Sequence, residues 1–160
     1  MIGNHSVPVI VDAYLKGFRG LSAQRAYNAI KKSLTENHLN SQWDVYDKYG
    51  YYPYDLVTVE SVSRTLESVY DDYCMALFAK GLGKTDDYNY FLERSNNYKN
   101  LFDPETKLMR GKHSSGKWRT PFDNFVLSHA STWWRLYRRK RVAIYMACSA
   151  RCRQFNRTDG

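Results

Sequence analysis

The sequence predicts an all-α chain built from αα-hairpins joined by long loops. Three observations carry that expectation. Apolar residues recur at three- and four-residue steps in four separate stretches; small polar residues or glycines bound those stretches; and the segments between them are turn-rich, without the alternation that a strand would show.

In the first stretch Ser6 can cap, Pro8 is tolerated in a first turn, and Ile10, Val11, Tyr14 and Leu15 follow at helical spacing until Gly17. Ser22 caps a second, with Ala26, Ala29, Ile30 and Leu34 as its stripe and Lys31 and Lys32 near its negative end. A short turn thus joins two antiparallel helices. Residues Asn37 to Asp55, with their YGYYPYD run, lack any period and read as a long loop packed by tyrosines. Thr58 caps the third and longest helix, whose stripe is Val59, Val62, Leu66, Val69, Tyr73 and Leu77 before Gly81 and Gly83. Thr85 caps a fourth, with Asp86 and Asp87 in its positive first turn and Tyr88, Phe91, Leu92, Ser95 and Tyr98 facing inward. The turn-rich stretch from 102 to 124, around Pro104, Gly111, Gly116 and Pro121, predicts a hairpin-like loop. Helix pairs alternating with loops stack either as a solenoid or as part of a toroid. The two pairs share no repeat consensus, which disfavours a tetratricopeptide array.

Composition narrows the class. The 160 residues are 43% hydrophobic and 25% charged, with a mean hydropathy of −0.63, enough apolar material for one packed domain. No run is long enough to cross a bilayer, and no leader for export precedes the first helix. Cys74, Cys148 and Cys152 are too few for a disulfide scaffold or a zinc site. The net charge of +8 is unevenly placed: residues 1 to 132 carry 16 Lys and Arg against 15 Asp and Glu, and residues 133 to 160 carry 8 against 1. That tail, with Trp133, Trp134, Tyr137 and Tyr145 among its arginines and no clean period, superficially fits a nucleic-acid footprint.

Candidate chemistry is sparse. There is no Gly-rich phosphate loop, nucleophile elbow or HExxH helix, and His38 and His113 stand isolated in loops with no partners at metal-ligand spacing. Asn4 and His5 lie just ahead of a helix N-terminus, where backbone donors help hold a polar ligand; the plainer reading is two surface residues. Glu60, Ser61 and Arg64 open the long helix, and Glu60 with Arg64 also reads as a surface ion pair. Glu67, Asp71 and Asp72 suggest paired carboxylates, but acids on a solvated helix face are the commoner explanation and catalysis is not assigned to them. Asp86 and Asp87 read as dipole-stabilising residues.

Taken together, GNHSVPVIVDAYLKGF at 3 to 18, YGYYPYD at 49 to 55, ESVSRTLESVYDDYC at 60 to 74, and NYKNLFDPETKLMRGK with WRTPFD up to 123 resemble glycoside hydrolase family 92, the bacterial calcium-dependent exo-α-mannosidases. The resemblance covers residues 2 to 132. It implies an internal piece of the family's (α/α)6 catalytic domain, residues 1–132, without the partner β-rich domain. Asn4, His5, Glu60, Ser61 and Arg64 then become substrate-binding candidates at the toroid mouth. The intact family inverts the anomeric centre, with one carboxyl group protonating the leaving oxygen and another activating water. Its calcium binds sugar hydroxyls, its substrates are α-mannoside glycans, and its location is periplasmic or secreted.

The family pattern next expects a block resembling GGDYTEGNAWQYTW, whose Glu is the general acid; this chain has WWRLYRRKRVAIYM. One shift of reading frame from Trp133 accounts for the difference, which makes 133–160 an out-of-frame tail, never selected to bind nucleic acid. The implied chain is inactive alone, binds no calcium and no membrane, and self-associates through apolar faces left by missing helices. Two other classes stay open on the residues alone. A small basic helical nucleic-acid-binding protein predicts steeply salt-dependent binding lost with the tail, and a helical-repeat interaction module predicts a stable monomer with no carbohydrate binding.

Overall fold

The computed structural model describes residues 2–20, 22–39 and 41–122. The chain divides into two units, Met1–Thr120 and Pro121–Gly160. Of the second, only residues 121 and 122 are among those described, so the boundary at 132 and the tail at 133–160 lie outside them.

The first unit is helical. In chain order it contains α1 (Ser6–Leu15), α2 (Ala23–Thr35), α3 (Trp43–Tyr49), α4 (Ser61–Gly81), α5 (Thr85–Arg94), a 3-10 helix (Ser95–Leu101), and a small antiparallel hairpin of β1 (Phe102–Asp103) and β2 (Leu108–Met109). Contacts between named residues give the helix directions. Asn4 meets Asp71 and Tyr14 meets the Gly81 carbonyl, so α1 runs parallel to α4. Ser33 meets Asn4 while Tyr27 packs on Phe78, so α2 runs back against both. Arg94 meets Asp72 and Leu34, which makes α5 antiparallel to α4. Two αα-hairpins therefore lie side by side with their first helices parallel, the arrangement the sequence predicts for an arc of an α/α toroid.

Three cap assignments differ from expectation. Only Ser22 caps as predicted, its side chain accepting from the Arg25 amide at 3.4 Å. Ser6 and Thr85 are the first helical residues, with His5 and Lys84 preceding them. Thr58 is displaced by Glu60, which turns the chain into α4 from a left-handed conformation (φ 56°, ψ 31°). A side chain with a Cβ occupies that region only when its surroundings enforce it. The expected loop from Asn37 to Asp55 contains α3, which buries Trp43 and Tyr46 and ends at Gly50 (φ 70°).

The core is aromatic. Phe78 packs between Tyr14 and Tyr27, with centroids at 4.8 and 5.7 Å, and Tyr46 between Trp43 and Tyr52 at 5.5 and 5.2 Å. On α2 the buried residues are Tyr27, Ile30 and Leu34, whereas Ala29 faces solvent. On α4, Val69 is buried, but Val62, Leu66, Tyr73 and Leu77 are half-buried, and Val59, expected to open the stripe, lies exposed ahead of the helix. The buried side includes Thr65, Met75, Ala76, Phe78 and Ala79, and three acids.

The predicted hairpin-like loop is present. Beyond β1 and β2 it bridges Lys112 to Trp118 and packs against the tyrosine-rich segment: Tyr54 donates its amide to the Lys112 carbonyl at 3.1 Å, and Tyr51 its hydroxyl to the His113 carbonyl at 2.8 Å. His113 has hydrogen-bonding and ion-pair partners there. Its Nε2 stands 3.4 Å from an Asp55 oxygen, and Asp55 accepts from both the amide and the hydroxyl of Ser114. His38, too, has a partner, its Nε2 lying 3.2 Å from the Ser33 carbonyl.

Candidate functional site

Burial of the α4 acids overturns the solvated-face reading. Glu67, Asp71 and Asp72 are 7%, 3% and 0% exposed. Asp72 faces α5, where Arg94 meets it through both Nε and Nη2, at 3.0 and 2.6 Å. The same guanidinium donates to the Leu34 carbonyl and to Asp47, and lies 4.8 Å from the Trp43 ring centroid. Burial outweighs the lowering by Arg94 and leaves Asp72 at about 6, so at neutral pH the pair is ionised; burial lowers the guanidinium, but the Asp72 carboxylate outweighs it and raises Arg94 above its ordinary value. This is a structural network that ties α5, α2 and α3 to α4.

One residue earlier, the surroundings change. Asp71 accepts the Asn4 amide at 2.9 Å. Burial raises its carboxyl to about 8, the Asn4 hydrogen bond lowers it, and the like charges of Asp72 and Glu67 raise it again. Between about pH 6 and pH 8, Asp71 is accordingly a neutral acid while Asp72 is charged.

Asp71 lines a crevice of about 20 Å³ with Gly3, Asn4, Ser33, Trp43, Arg64 and Ser68 among its walls. A cavity of this size holds about one water molecule. The Asn4 side chain is fixed at both ends: Oδ1 accepts from the Ser6 hydroxyl at 2.5 Å and Nδ2 donates to Ser33 Oγ at 3.2 Å. Ser33 in turn is held through its carbonyl by the Trp43 indole at 2.9 Å. His5 sits at the head of α1 with Nδ1 3.8 Å from a Glu67 oxygen.

Of the five candidates read from sequence, Asn4 and Arg64 meet at this crevice. His5 is brought against Glu67 beside it. Ser61 is buried, and its carbonyl accepts from Thr65 Oγ1, which also receives the Tyr52 amide; it anchors the tyrosine-rich segment to α4. Glu60, at the left-handed entry to α4, stands about 16 Å along the helix from Asp71, at 1.5 Å per residue. The five are thus strung along α4 rather than gathered at one point. What joins them is a polar stripe, Glu60, Arg64, Glu67 with Ser68, and Asp71, at the three- and four-residue steps that put residues on one helix face. The sequence reading missed Glu67, Asp71 and Ser68 as part of it, although the spacing was visible beside the apolar stripe.

Among the described residues no three His, Cys, Asp or Glu side chains converge as a metal ion would require. Nor is any of their helices long and apolar enough to cross a membrane.

Comparison with known proteins covers the same ground. The family model for the glycosyl hydrolase family 92 catalytic domain matches residues 1–138. A solved family GH92 alpha-mannosidase from Bacteroides thetaiotaomicron is 49% identical, with a TM-score of 0.74 over 79% of this chain and 17% of its own. The same enzyme solved with mannoimidazole gives 50% identity and a TM-score of 0.73 over 78% and 16%. An inverting family GH92 mannosidase from that organism is 37% identical, with a TM-score of 0.74 over 79% and 18%. A secreted glycosidase of the fungus Arthroderma benhamiae is 33% identical over 127 residues, 69% of this chain and 16% of that protein. The chain spans less than a fifth of the length of each of these relatives. With the fold, the ordered sequence blocks and the family match in agreement, this chain belongs to glycosyl hydrolase family 92, within its catalytic domain.

Proposed function

We propose that this chain is a section of the (α/α)6 catalytic domain of an exo-α-mannosidase, supplying one wall of its sugar site without the proton donor. The observation that carries the reading is the polar stripe from Glu60 to Asp71, with Asn4 and Arg64 meeting at its crevice. It lies in a chain 49% identical to an alpha-mannosidase of the same family. The amide of Asn4 and the guanidinium of Arg64, at the rim of a crevice of one-water size, suit single hydroxyls of a hexose lying against this wall, since each hydroxyl both donates and accepts.

Inverting hydrolysis needs a protonated carboxylic acid at the leaving oxygen and a carboxylate, about 6.5–9.5 Å away, to activate water. Glu67 and Asp71 lie one turn apart, and Glu67 is turned to His5 and Asp71 to the Asn4 amide. Neither is assigned to those roles. Calcium would take its ligands from outside the described residues, and no step is routed through it. The secreted fungal relative supports an extracytoplasmic location for the parent enzyme.

The test pairs a titration of the chain with methyl α-mannoside against an assay of aryl α-mannoside hydrolysis. Binding that weakens in Asn4→Ala and Arg64→Ala, without turnover, is expected. Hydrolysis by the chain alone, or binding indifferent to both substitutions, overturns the proposal. The out-of-frame reading of 133–160 is a separate matter, decided by the nucleotide sequence around the Trp133 codon: DNA unable to encode the shifted block removes it.

A further inference from the structure

Gly3, Asn4 and His5 are seated on α4 at three points. Gly3, at φ 77°, approaches so closely that a Cβ added there would stand 2.7 Å from Glu67 Cβ. Asn4 gives its amide to Asp71 at 2.9 Å, and His5 turns Nδ1 to within 3.8 Å of Glu67. Glu67 and Asp71 are four residues apart and almost wholly inaccessible. The charge of Glu67 raises the buried Asp71 carboxyl group, and burying that group costs stability that an apolar side chain would not. The fold does not need them to fasten α4, because Arg94 and Asp72 already bind it to α2, α3 and α5.

We propose that Glu67 and Asp71 are positioning residues of the sugar site, fixing the pose of Asn4 and His5 through the Asn4 amide, the His5 imidazole and the close approach of Gly3. The inference rests on the sugar-wall reading and deepens it: α4 seats the backbone at Asn4 and the His5 ring, and Ser6 and Ser33 then fix the Asn4 side chain on that seat. Asp71 serves as an acceptor in either protonation state, so the contact to Asn4 survives neutralisation of its carboxyl group. The charged and titratable groups around it are Glu67, Asp72 and Arg64 on α4, His5 on α1, His38 across the crevice, and Arg94 behind Asp72.

The experiment is an NMR comparison of the full chain with Glu67→Gln, Asp71→Asn and Gly3→Ala, reading the Asn4 amide, the His5 ring and, as a monitor of the core, the Trp43 indole. Methyl α-mannoside is titrated into each. In the unmodified chain the Asn4 amide signal is expected to move with pH about a midpoint near 8, and to lose that movement in Asp71→Asn while keeping its hydrogen bond. Glu67→Gln and Gly3→Ala are expected to shift Asn4 and His5, leave the Trp43 signal in place, and weaken mannoside binding at least ~5-fold, about 1 kcal/mol. Unchanged Asn4 and His5 signals in all three variants overturn the proposal, as does loss of the Trp43 signal together with them in Gly3→Ala, which leaves both carboxyl groups intact. If a carboxyl variant fails to fold, Gly3→Ala decides. Mannoside that perturbs no signal of the unmodified chain sinks the sugar-wall reading instead, while the Asn4 and His5 signals still judge whether the acids hold the segment.

Discussion

Asp71 and Asp72 are the same residue type, adjacent on one helix and equally hidden from water, yet they do opposite things. A step of about 100° around α4 turns Asp72 to a guanidinium and Asp71 to a backbone amide and a second carboxyl group. The first acid is compensated and ties four helices together. The second stays neutral until about pH 8 and holds a short segment beside a polar crevice. Burial alone does not tell a structural acid from a functional one; the charge that meets it does.

The largest effect is expected from breaking the compensated side. Arg94→Met removes the guanidinium that lowers Asp72 and leaves the buried carboxyl group to take up a proton or stay charged without a partner, at a cost of about 3–5 kcal/mol. Denaturant unfolding should show a loss of that size, and Arg94→Met combined with Asp72→Leu should recover most of it. A penalty of under 1 kcal/mol in the single variant would erase the distinction drawn between the two acids.

The next effect concerns pH. The folded state raises Asp71 from the ordinary 3.8 to about 8, so it binds that proton more tightly than the unfolded chain. Stability is therefore highest at low pH for this group, falls as pH rises from about 4 to 8, and levels beyond, with a slope of at most about 1.4 kcal/mol per pH unit. Asp72 acts in the same direction up to about 6. Asp55, Asp87 and Asp103 act oppositely, since hydrogen bonds hold them below the ordinary range and their contribution is lost on acidification. Comparing melting curves of the unmodified chain and Asp71→Asn at pH 5, 7 and 9 isolates the Asp71 part. An advantage for Asp71→Asn that does not grow with pH contradicts the assignment.

At the head of the polar stripe, Glu60→Gly relieves the left-handed backbone and is expected to stabilise by about 1 kcal/mol while weakening mannoside binding. Stabilisation without any change in binding would detach Glu60 from the site. Smallest of all, Lys16→Ala removes an exposed pair with Asp12 and should move the unfolding midpoint by less than about 0.5 kcal/mol. It is the solvent-exposed baseline against which both buried acids are measured.

Particular residues show how far the sequence could be read. Ser22 was legible as a cap because a serine side chain reaches its own helix amide, a contact within three residues. Thr58 and Thr85 fit the same rule in composition, yet Glu60 and Lys84 are the residues that precede α4 and α5. The stripe of Val62, Leu66, Tyr73 and Leu77 is apolar as read, yet among the described residues it is only half covered, while the acids are covered fully. Asp87 looked like a dipole partner; it also accepts from Tyr27 and Lys31 on α2, across 60 and 56 residues of chain.

The sequence by itself determined α1, α2, α4 and α5, their pairing, the turn-rich hairpin and the family, though not α3, because periodicity, glycine stops and ordered motif blocks are local properties of the chain. Only the tertiary structure decided which acids are hidden, which of them meets Arg94, and that Asn4 is bound to Asp71. Those facts depend on the rotation of α4 about its axis against α1 and α5, and that rotation is fixed by side chains dozens of residues apart.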